Sequence, residues 1–322
     1  MSALSPALPA LVAAVVASIC LMVLTGPGRL PTAHPNARSL HRRPVPRGAG
    51  LAVWSGWLAG AAWSGAFRPL LAPLLLIIAV SFWDDRYGAP AWARLAVHAI
   101  AAVAWIWLSK TPLSPPLNVF AAVLAIVWMA NLFNFMDGSD GQAVAMAIIG
   151  FGAYAAAQSW VEGVDAPILW TLVAAIAPCL AVNLPPARLF LGDVGAVPLG
   201  FVAAIFGISG WQQGAWPGWF PVLVFLPFVA DASVTILLRL LRGATIWQAH
   251  REHFYQKLVQ LGLSHRGTLL LYGSLMLGSA MSALFALLRA PWAGPKLLIL
   301  WSTAMALLFS ATAYQWRARL RM

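Results

Sequence analysis

The chain has 322 residues, of which 61% are hydrophobic and only 9% are charged, and its mean hydropathy is +0.80. A soluble protein of this size needs far more polar surface, so the composition excludes that class and indicates a polytopic membrane protein. The formal net charge of +11 does not indicate nucleic-acid binding, because the arginines flank apolar segments and have no aromatic-rich soluble module beside them. We therefore expect a lipid bilayer, and no nucleic acid, among its partners.

Eleven apolar segments approach the length of about 20 residues that a bilayer span requires. They leave no room for a soluble domain, so we predict an all-α polytopic integral membrane protein, a single domain over residues 1–322 with about 10–11 transmembrane helices. Glycine, serine and Arg68 interrupt the second and third segments, and a ten-span alternative fuses these two. The segments are 8–25, 49–67, 69–83, 93–109, 117–133, 143–158, 167–183, 195–210, 218–238, 268–288 and 296–314.

The distribution of lysine and arginine predicts the orientation in the membrane. If the loop after the first segment is cytoplasmic, sixteen of the twenty basic residues lie on that side and four on the other. This bias predicts an outside N-terminus and a cytoplasmic C-terminus. The same assignment places most of the acidic residues on the cytoplasmic side, namely Asp84, Asp85, Asp137, Asp140, Asp193 and Glu252.

A basic turn precedes the second segment, with the sequence His41-Arg42-Arg43-Pro44-Val45-Pro46-Arg47-Gly48. Its prolines restrict the backbone and hold Arg47 near the membrane surface. We interpret His41 and Arg47 as candidate substrate-binding residues. The alternative is a topology signal without a binding role.

Two adjacent carboxylates, Asp84 and Asp85, end the third segment. Such neighbours repel each other unless a cation or a shared proton relieves the repulsion. The pair is therefore suited to binding a metal ion or accepting a proton, and we interpret both residues as catalytic candidates. A solvated helix cap is the alternative interpretation.

Amides and carboxylates close the fifth segment, in the run from Asn131 to Gly141. On a helix, positions 131, 134, 137 and 138 share one face, so the pattern predicts a polar stripe on an apolar segment. We interpret Asn131, Asn134, Asp137 and Asp140 as ligands for a metal-bound diphosphate and its nucleoside. A polar helix end facing water is the alternative.

The segment from Asn183 to Gly195 follows the seventh span. Pro185 and Pro186 end the helix, and the glycines beside Asp193 allow a ligand to approach the backbone closely. We predict that Asn183 binds substrate, that Asp193 is catalytic and that Phe190 stacks on a base. For Phe190 a membrane-interface anchor is the alternative.

The last large basic loop contains His250-Arg251-Glu252-His253-Phe254-Tyr255-Gln256-Lys257. The spacing predicts a short amphipathic helix near the bilayer surface with both histidines on one side. No carboxylate or cysteine frames a structural zinc site here. We therefore interpret His250 and His253 as phosphate-binding residues.

These motifs, in this order, resemble the polyprenyl-phosphate N-acetylaminosugar-1-phosphate transferases, also called glycosyltransferase family 4. The resemblance rests on Pro35-Asn36-Ala37-Arg38-Ser39-Leu40-His41 with Pro46-Arg47-Gly48, Asp84-Asp85, Asn131 to Gly141, Asn183 to Asp193, and His250 to Gln256. It implies transfer of a sugar 1-phosphate from a UDP-N-acetylamino sugar to undecaprenyl phosphate, with release of UMP. It further implies Mg²⁺ as cofactor, with Mn²⁺ as the alternative ion, and a bacterial inner-membrane protein whose active site faces the cytoplasm.

The resemblance also implies roles for individual residues. Asp193 would be the main metal ligand, and Asp84 or Asp85 would accept the proton of the lipid phosphate or complete the metal shell. Asn134, Asp137 and Asp140 would hold the nucleotide, Phe190 would stack on uracil, and His250 and His253 would bind phosphate. Direct attack by the lipid phosphate and a double displacement through an aspartyl intermediate both remain open.

The separated histidines favour one branch of this family. The peptidoglycan branch carries consecutive histidines, whereas two residues separate His250 from His253. That spacing resembles the O-antigen and polysaccharide-initiating members, which include users of 6-deoxy N-acetylhexosamines. The first loop departs from the family pattern, with Ala49-Gly50 in place of two glycines. The alternatives are a phospho-MurNAc-pentapeptide transferase and, from another class, a secondary transporter. A second copy of the chain, as a homodimer, is a further candidate partner.

Overall fold

The computed structural model describes residues 7–26, 28–35, 40–41, 43–62, 68–111, 113, 116–163, 165–245, 248 and 250–321. Asn36, Arg38 and Arg42 of the first loop, and residues 63–67 of the second predicted span, lie outside the described residues. Two short strands, β1 (Thr32–Ala33) and β2 (Val45–Pro46), pair antiparallel in that loop.

Helices form almost all of the remaining described structure, which confirms the all-α class. They are α1 (Ala7–Leu24), α2 (Gly50–Ala61), α3 (Arg68–Tyr87), α4 (Ala91–Ser109), α5 (Pro116–Met136), α6 (Gln142–Trp160), α7 (Ala166–Asn183), α8 (Asp193–Gln212), α9 (Trp219–Val224), α10 (Leu226–Leu241), α11 (Phe254–Gln260), α12 (His265–Arg289) and α13 (Gly294–Arg319), with a 3₁₀ turn at Pro291–Ala293.

Eight helices in the described part of the chain are long and apolar enough to cross a bilayer, which confirms the polytopic membrane class. They are α1, α4, α5, α6, α7, α8, α12 and α13. The other three predicted spans are also helical, but each departs from a simple span. The 12 residues of α2 are too few, α3 carries four charged residues, and Phe225 separates α9 from α10. Because α2 and α3 are separate helices, the described structure does not show them fused into one span.

Helix α8 lies at the centre of the molecule, and most of its residues are buried. It packs against α5, α3 and α2. Glycines make these contacts close: a Cβ atom on Gly195 would lie 2.9 Å from Cα of Gly50, and one on Gly200 would collide with the backbone of Met129. Small residues allow helix backbones to approach in this way. The first turn of α8 is therefore held tightly by its neighbours.

The remaining contacts bring several helix ends together around that turn. Helix α3 packs on α4 and α8, α5 on α8 and α10, and α7 on α1, α2 and α6. The C-terminal ends of α3, α5 and α7 and the N-terminal end of α8 are the ends that carry the predicted acidic and amide motifs.

Candidate active site

A cavity of about 200 Å³ lies where these helix ends meet. Eight of the thirteen predicted site residues line it: His41, Arg47, Asp85, Asp137, Asp140, Asn183, Phe190 and Asp193. Its other lining residues are Ala33, Leu40, Gly138, Ser139, Gly192, Gln256 and His265. Four segments that are distant in sequence thus contribute carboxylates or basic groups to one space.

Asp85 is the buried carboxylate of this cavity, with 2% of its surface exposed. Its Oδ2 accepts a hydrogen bond of 2.9 Å from the backbone N–H of Val194, in the first turn of α8. The Nε of Arg47 lies 3.4 Å from Oδ1, and the Arg47 guanidinium also donates to the backbone carbonyl of Asp85. Among the described residues, Oδ1 has no hydrogen-bond partner. Oδ1 of Asp85 is therefore ion-paired with Arg47 without being hydrogen-bonded.

Asp84 is held differently, although it is the adjacent residue. Its Oδ1 accepts from the N–H of Ala89 at 2.6 Å, and its Oδ2 accepts from Arg94 at 2.7 Å. Arg94 also lies 3.8 Å from Oδ2 of Asp193. Asp84 is not among the lining residues. The contact of Arg94 with two motif carboxylates could not be predicted from the sequence, which carries no local signal for it.

Asp193 begins α8, and its side chain is 25% exposed toward the cavity. Asn134 makes a side-chain hydrogen bond to it, so this amide orients a carboxylate and is not itself a lining residue. The preceding Gly192 has φ of +75°, and a Cβ atom there would lie 2.8 Å from Oδ2 of Asp85. Glycine is thus required both by the backbone conformation and by the space beside Asp85.

Asp137 and Asp140 lie in the turn after α5. The predicted stripe is therefore only partly helical, because α5 ends at Met136 and Asp137 lies beyond it. Burial, followed by the negative charges of Asp193, Asp85 and Asp140, raises the pKa of Asp137 well above its usual value. Asp140 accepts a hydrogen bond of 3.0 Å from the N–H of Ala187. The cavity thus holds more negative charge than its own basic groups neutralise.

Asn183 is buried and bridges two loops of the site. Its Nδ2 donates to the carbonyl of Leu189 at 2.9 Å, and its Oδ1 accepts from the N–H of Gly141 at 3.0 Å. These bonds use one of the two N–H donors and one of the two acceptor positions of the amide. Asn183 therefore fixes the shape of the cavity wall, in addition to the substrate contact predicted for it.

Phe190 and His41 form an aromatic edge of the cavity. Their ring centroids are 5.0 Å apart at an interplanar angle of 65°. Backbone hydrogen bonds join the two segments that carry these rings. The N–H of Phe190 donates to the carbonyl of Pro46, and the N–H groups of Gly48 and Ala49 donate to the carbonyl of Phe190. The basic turn and the loop before α8 thus form one rigid wall.

Besides Asn134, three predicted binding residues do not line the cavity. Asn131 donates to the carbonyl of Val127 at 2.7 Å and lies 3.3 Å from Nδ1 of His98. His250 and His253 stack on each other with centroids 5.0 Å apart. The predicted helix containing both histidines is wrong, since α11 begins at Phe254.

The environment of the two histidines also argues against a charged phosphate contact. His253 is buried, with Nδ1 3.3 Å from Oδ1 of Asp231. Burial, aided by the neighbouring side chains of His253, Arg239 and Lys257, lowers the pKa of His250 to about 3. His250 is therefore neutral near pH 7. Helix α11 and the start of α12 instead contribute Gln256, which belongs to the last predicted motif, and His265, which belongs to none.

The donor set fits a divalent cation that is shared with a substrate. In the part of the chain that the structure describes, no group of three His, Cys, Asp or Glu side chains forms a protein cage for a metal. Mg²⁺ usually binds through one or two carboxylates, with water and substrate phosphates as its other ligands. Asp85, whose Oδ1 accepts no hydrogen bond from the described residues, and Asp193 match that mode.

Known proteins that are similar to this chain are glycosyl transferases. Residues 67–210, which include three of the five motifs, match glycosyl transferase family 4. A probable undecaprenyl-phosphate N-acetylglucosaminyl 1-phosphate transferase of Bacillus subtilis is 26% identical over 256 residues, which are 73% of this chain and 72% of the relative. The undecaprenyl-phosphate alpha-N-acetylglucosaminyl 1-phosphate transferase of Yersinia pestis is 27% identical over 259 residues, 72% of this chain and 70% of the relative.

A phospho-N-acetylmuramoyl-pentapeptide-transferase of Streptococcus thermophilus is 27% identical over 168 residues, which are only 45% of this chain and 49% of the relative. The match to the N-acetylglucosaminyl transferases thus extends over much more of both chains. The family model and these relatives agree with the ordered motifs, so the chain is similar to glycosyl transferase family 4 and, within it, to polyprenyl-phosphate N-acetylglucosaminyl 1-phosphate transferases.

Proposed function

We propose that the protein transfers the 1-phosphate of an N-acetylhexosamine from its UDP derivative to undecaprenyl phosphate and releases UMP. The observation that carries the proposal is the convergence of Asp85, Asp137 and Asp193 with Arg47 on one cavity at the helix ends. The names of the relatives, which refer to polyprenyl phosphates and N-acetylglucosamine, support the same reaction class.

The reaction forms a bond between an oxygen of the lipid phosphate and the β-phosphorus of the UDP-sugar. The bond from this phosphorus to the oxygen bridging to the α-phosphorus breaks, and its electron pair leaves with UMP. A phosphate monoester loses its second proton near pH 6, so the lipid phosphate is largely deprotonated at pH 7. Positioning and charge neutralisation are therefore larger demands on the enzyme than removal of a proton.

The residues of this cavity can be assigned to those demands. Asp193 and Asp85 would hold Mg²⁺, or Mn²⁺ in its place, and Asp85 is also the better placed of the two adjacent carboxylates to accept a proton. Asp137 and Asp140 would bind the nucleotide portion, and Phe190 would stack on the base. When bound, the ion would neutralise the diphosphate and stabilise the charge that develops on the leaving UMP.

Asp84 has a supporting role in this assignment. Arg94 and the N–H of Ala89 occupy its two oxygens, and Arg94 approaches Asp193 as well. The Asp84–Arg94 pair thus influences the charge and position of Asp193 without itself lining the cavity. Asn134 and Asn183 act in the same sense, since they hold Asp193 and the cavity loops.

The finer part of the proposal is a role in starting O-antigen or another surface polysaccharide, with 6-deoxy donors among the candidates. It rests on the separation of His250 from His253. Because neither histidine lines the cavity, this separation would act by shaping the loop that leads into α11, whose Gln256 lines the wall. We further propose that the cavity faces the cytoplasm of a bacterial inner membrane, where nucleotide sugars are made.

The rival transporter function is less well supported by the position of the acidic residues. Transporters usually bind their substrates near the bilayer midplane on broken helices. Here the cavity carboxylates lie at helix ends. Asp231, which lies within α10, already accepts several hydrogen bonds.

The experiment is an assay of the purified protein with undecaprenyl phosphate, Mg²⁺ and a panel of UDP-sugars. The panel contains UDP-GlcNAc, UDP-GalNAc, a 6-deoxy UDP-N-acetylhexosamine and UDP-MurNAc-pentapeptide, and UMP release and lipid product are both measured. We expect lipid-dependent UMP release with at least one N-acetylhexosamine donor. The proposal would be overturned if UMP were released without formation of a lipid product. It would also be overturned if a folded protein turned over none of the donors.

A further inference from the structure

Asp231 is a fully buried carboxylate of α10 that the proposed chemistry does not use. Its Oδ2 accepts from the hydroxyl of Tyr272 at 2.5 Å and from the N–H of Tyr255 at 3.0 Å. Its Oδ1 accepts from the N–H of Phe254 at 3.0 Å and lies 3.3 Å from Nδ1 of His253. A buried carboxylate is costly unless it is fully hydrogen-bonded, and here most of its partners belong to one turn. Asp231 therefore fixes the start of α11.

The same turn is connected to the wall of the cavity through Tyr255. The Tyr255 hydroxyl donates to the carbonyl of Phe135 at 2.8 Å, near the end of α5. It also accepts from the N–H of Gly138 at 3.1 Å. These two bonds hold the backbone on both sides of Asp137. Gln256, the next residue of α11, lines the cavity itself.

The contact between Tyr255 and Gly138 leaves no room for a side chain. A Cβ atom on residue 138 would collide with the Tyr255 hydroxyl and would lie 3.2 Å from Nε2 of Gln256. The spacing between the start of α11 and the turn after α5 is thus set by direct contact as well as by hydrogen bonds.

We propose that Asp231 is a positioning residue, which acts through Tyr255 to hold the Asp137–Gly138 turn in place at the cavity. Asp231 anchors the first turn of α11, and this turn carries the hydroxyl that holds residues 135 and 138. The proposal deepens the proposed function, because it concerns how a nucleotide-binding carboxylate is placed. The placement itself can be measured without any activity.

The first experiment is hydrogen–deuterium exchange of the detergent-solubilised full chain, followed at the amide of Gly138. Tyr255→Phe removes the acceptor of that amide and keeps the ring, so we expect about tenfold faster exchange there, the order of magnitude for loss of one hydrogen bond. Tyr154→Phe is the matched control, since it also removes a buried tyrosine hydroxyl, but one that is bonded to the carbonyl of Ala203. Unchanged exchange at Gly138 in Tyr255→Phe, or equal acceleration in both variants, overturns the proposal.

The contribution of Asp231 is measured in the same way. Asp231→Asn should accelerate exchange at Phe254 and Tyr255 and also at Gly138. If this variant does not fold, Asp231→Glu, which keeps the charge but displaces it by one methylene, takes its place with the same expected direction. Faster exchange in α11 with wild-type exchange at Gly138 would show that the two segments are not coupled, contrary to the proposal.

Kinetic experiments test whether this placement serves the reaction, and only they rest on the proposed transferase activity. Tyr255→Phe should raise KM for the UDP-sugar severalfold and leave KM for undecaprenyl phosphate unchanged. A merely structural defect would reduce the amount of active protein, lowering apparent kcat with both KM values unchanged, and that result overturns the proposed role in positioning.

The collision at position 138 supplies a second kinetic test. Gly138→Ala should reduce kcat/KM for the UDP-sugar at least tenfold in the wild-type background, and by a smaller factor in the Tyr255→Phe background, where the colliding hydroxyl is absent. Contacting residues are expected to show such non-additivity. Strictly additive effects would refute the contact.

Discussion

Removing the charge of Asp193 is the most direct test of the proposed chemistry, and Asp193→Asn does so without changing the size of the side chain. The protein should still fold. Asp193 lies at the N-terminus of α8, where a negative charge contributes roughly 0.3–1 kcal/mol to stability. Its loss also relieves repulsion from Asp85 and Asp84, the charged neighbours with the largest effects on Asp193. Arg94 retains its partner Asp84 at 2.7 Å.

The effect on the reaction should be much larger than the effect on stability. Loss of one group that stabilises developing charge typically costs about 10²–10³-fold in rate. A loss of about 10²-fold corresponds to about 2.7 kcal/mol of transition-state stabilisation. This exceeds the expected change in stability, so reduced folding alone does not account for the lost turnover.

The assay is UMP release at saturating donor and lipid, with thermal unfolding measured on the same preparations. Asp165→Asn is the matched control. Asp165 accepts a hydrogen bond of 3.2 Å from Gln213 and precedes α7, whose opposite end carries Asn183. We expect the control to keep wild-type turnover. Turnover of Asp193→Asn within about twofold of wild type would refute the assignment of Asp193 as a metal ligand.

Three further predictions follow from the same site. Activity should disappear in excess EDTA and return with Mg²⁺ or Mn²⁺, and full UMP release in the presence of chelator would contradict the metal-based mechanism. UDP-N-acetylhexosamines without a peptide should turn over faster than UDP-MurNAc-pentapeptide in side-by-side assays, and the reverse order would contradict the branch assignment. In a background with Cys20 and Cys179 replaced by Ala, Ser264→Cys should resist a membrane-impermeant thiol reagent in intact cells while Gly218→Cys reacts. Both positions are exposed, so labelling of Ser264→Cys from outside would contradict the cytoplasmic orientation.

Much of the architecture could be predicted from the sequence, because a bilayer imposes a simple rule on apolar length. All eleven predicted spans are helical in the described residues. The rule on apolar length was less informative for the helices that carry charges or are interrupted. Four charges in α3 and the break at Phe225 would be expensive in lipid, and both occur in segments that carry or support the site.

The individual roles of neighbouring residues could not be predicted in the same way. Asp84 and Asp85 have the same side chain, yet one is occupied by Arg94 and the other lines the cavity. Successive residues of a helix point about 100° apart, since a turn has 3.6 residues. Only tertiary neighbours decide which of them faces a ligand. The helix predicted to contain His250 and His253 was wrong for a related reason, because α11 begins one residue after the second histidine.

The charge of the cavity links these observations to the order of events in the proposed reaction. Asp85, Asp137, Asp140 and Asp193 face a space that a diphosphate must also enter. Arg47 is already paired with Asp85, so it offsets only part of this charge. Two sets of negative groups can share a desolvated space only if a cation accompanies the substrate. We therefore expect the nucleotide sugar to bind together with its metal ion, and its affinity to depend on Mg²⁺ more steeply than the affinity for undecaprenyl phosphate.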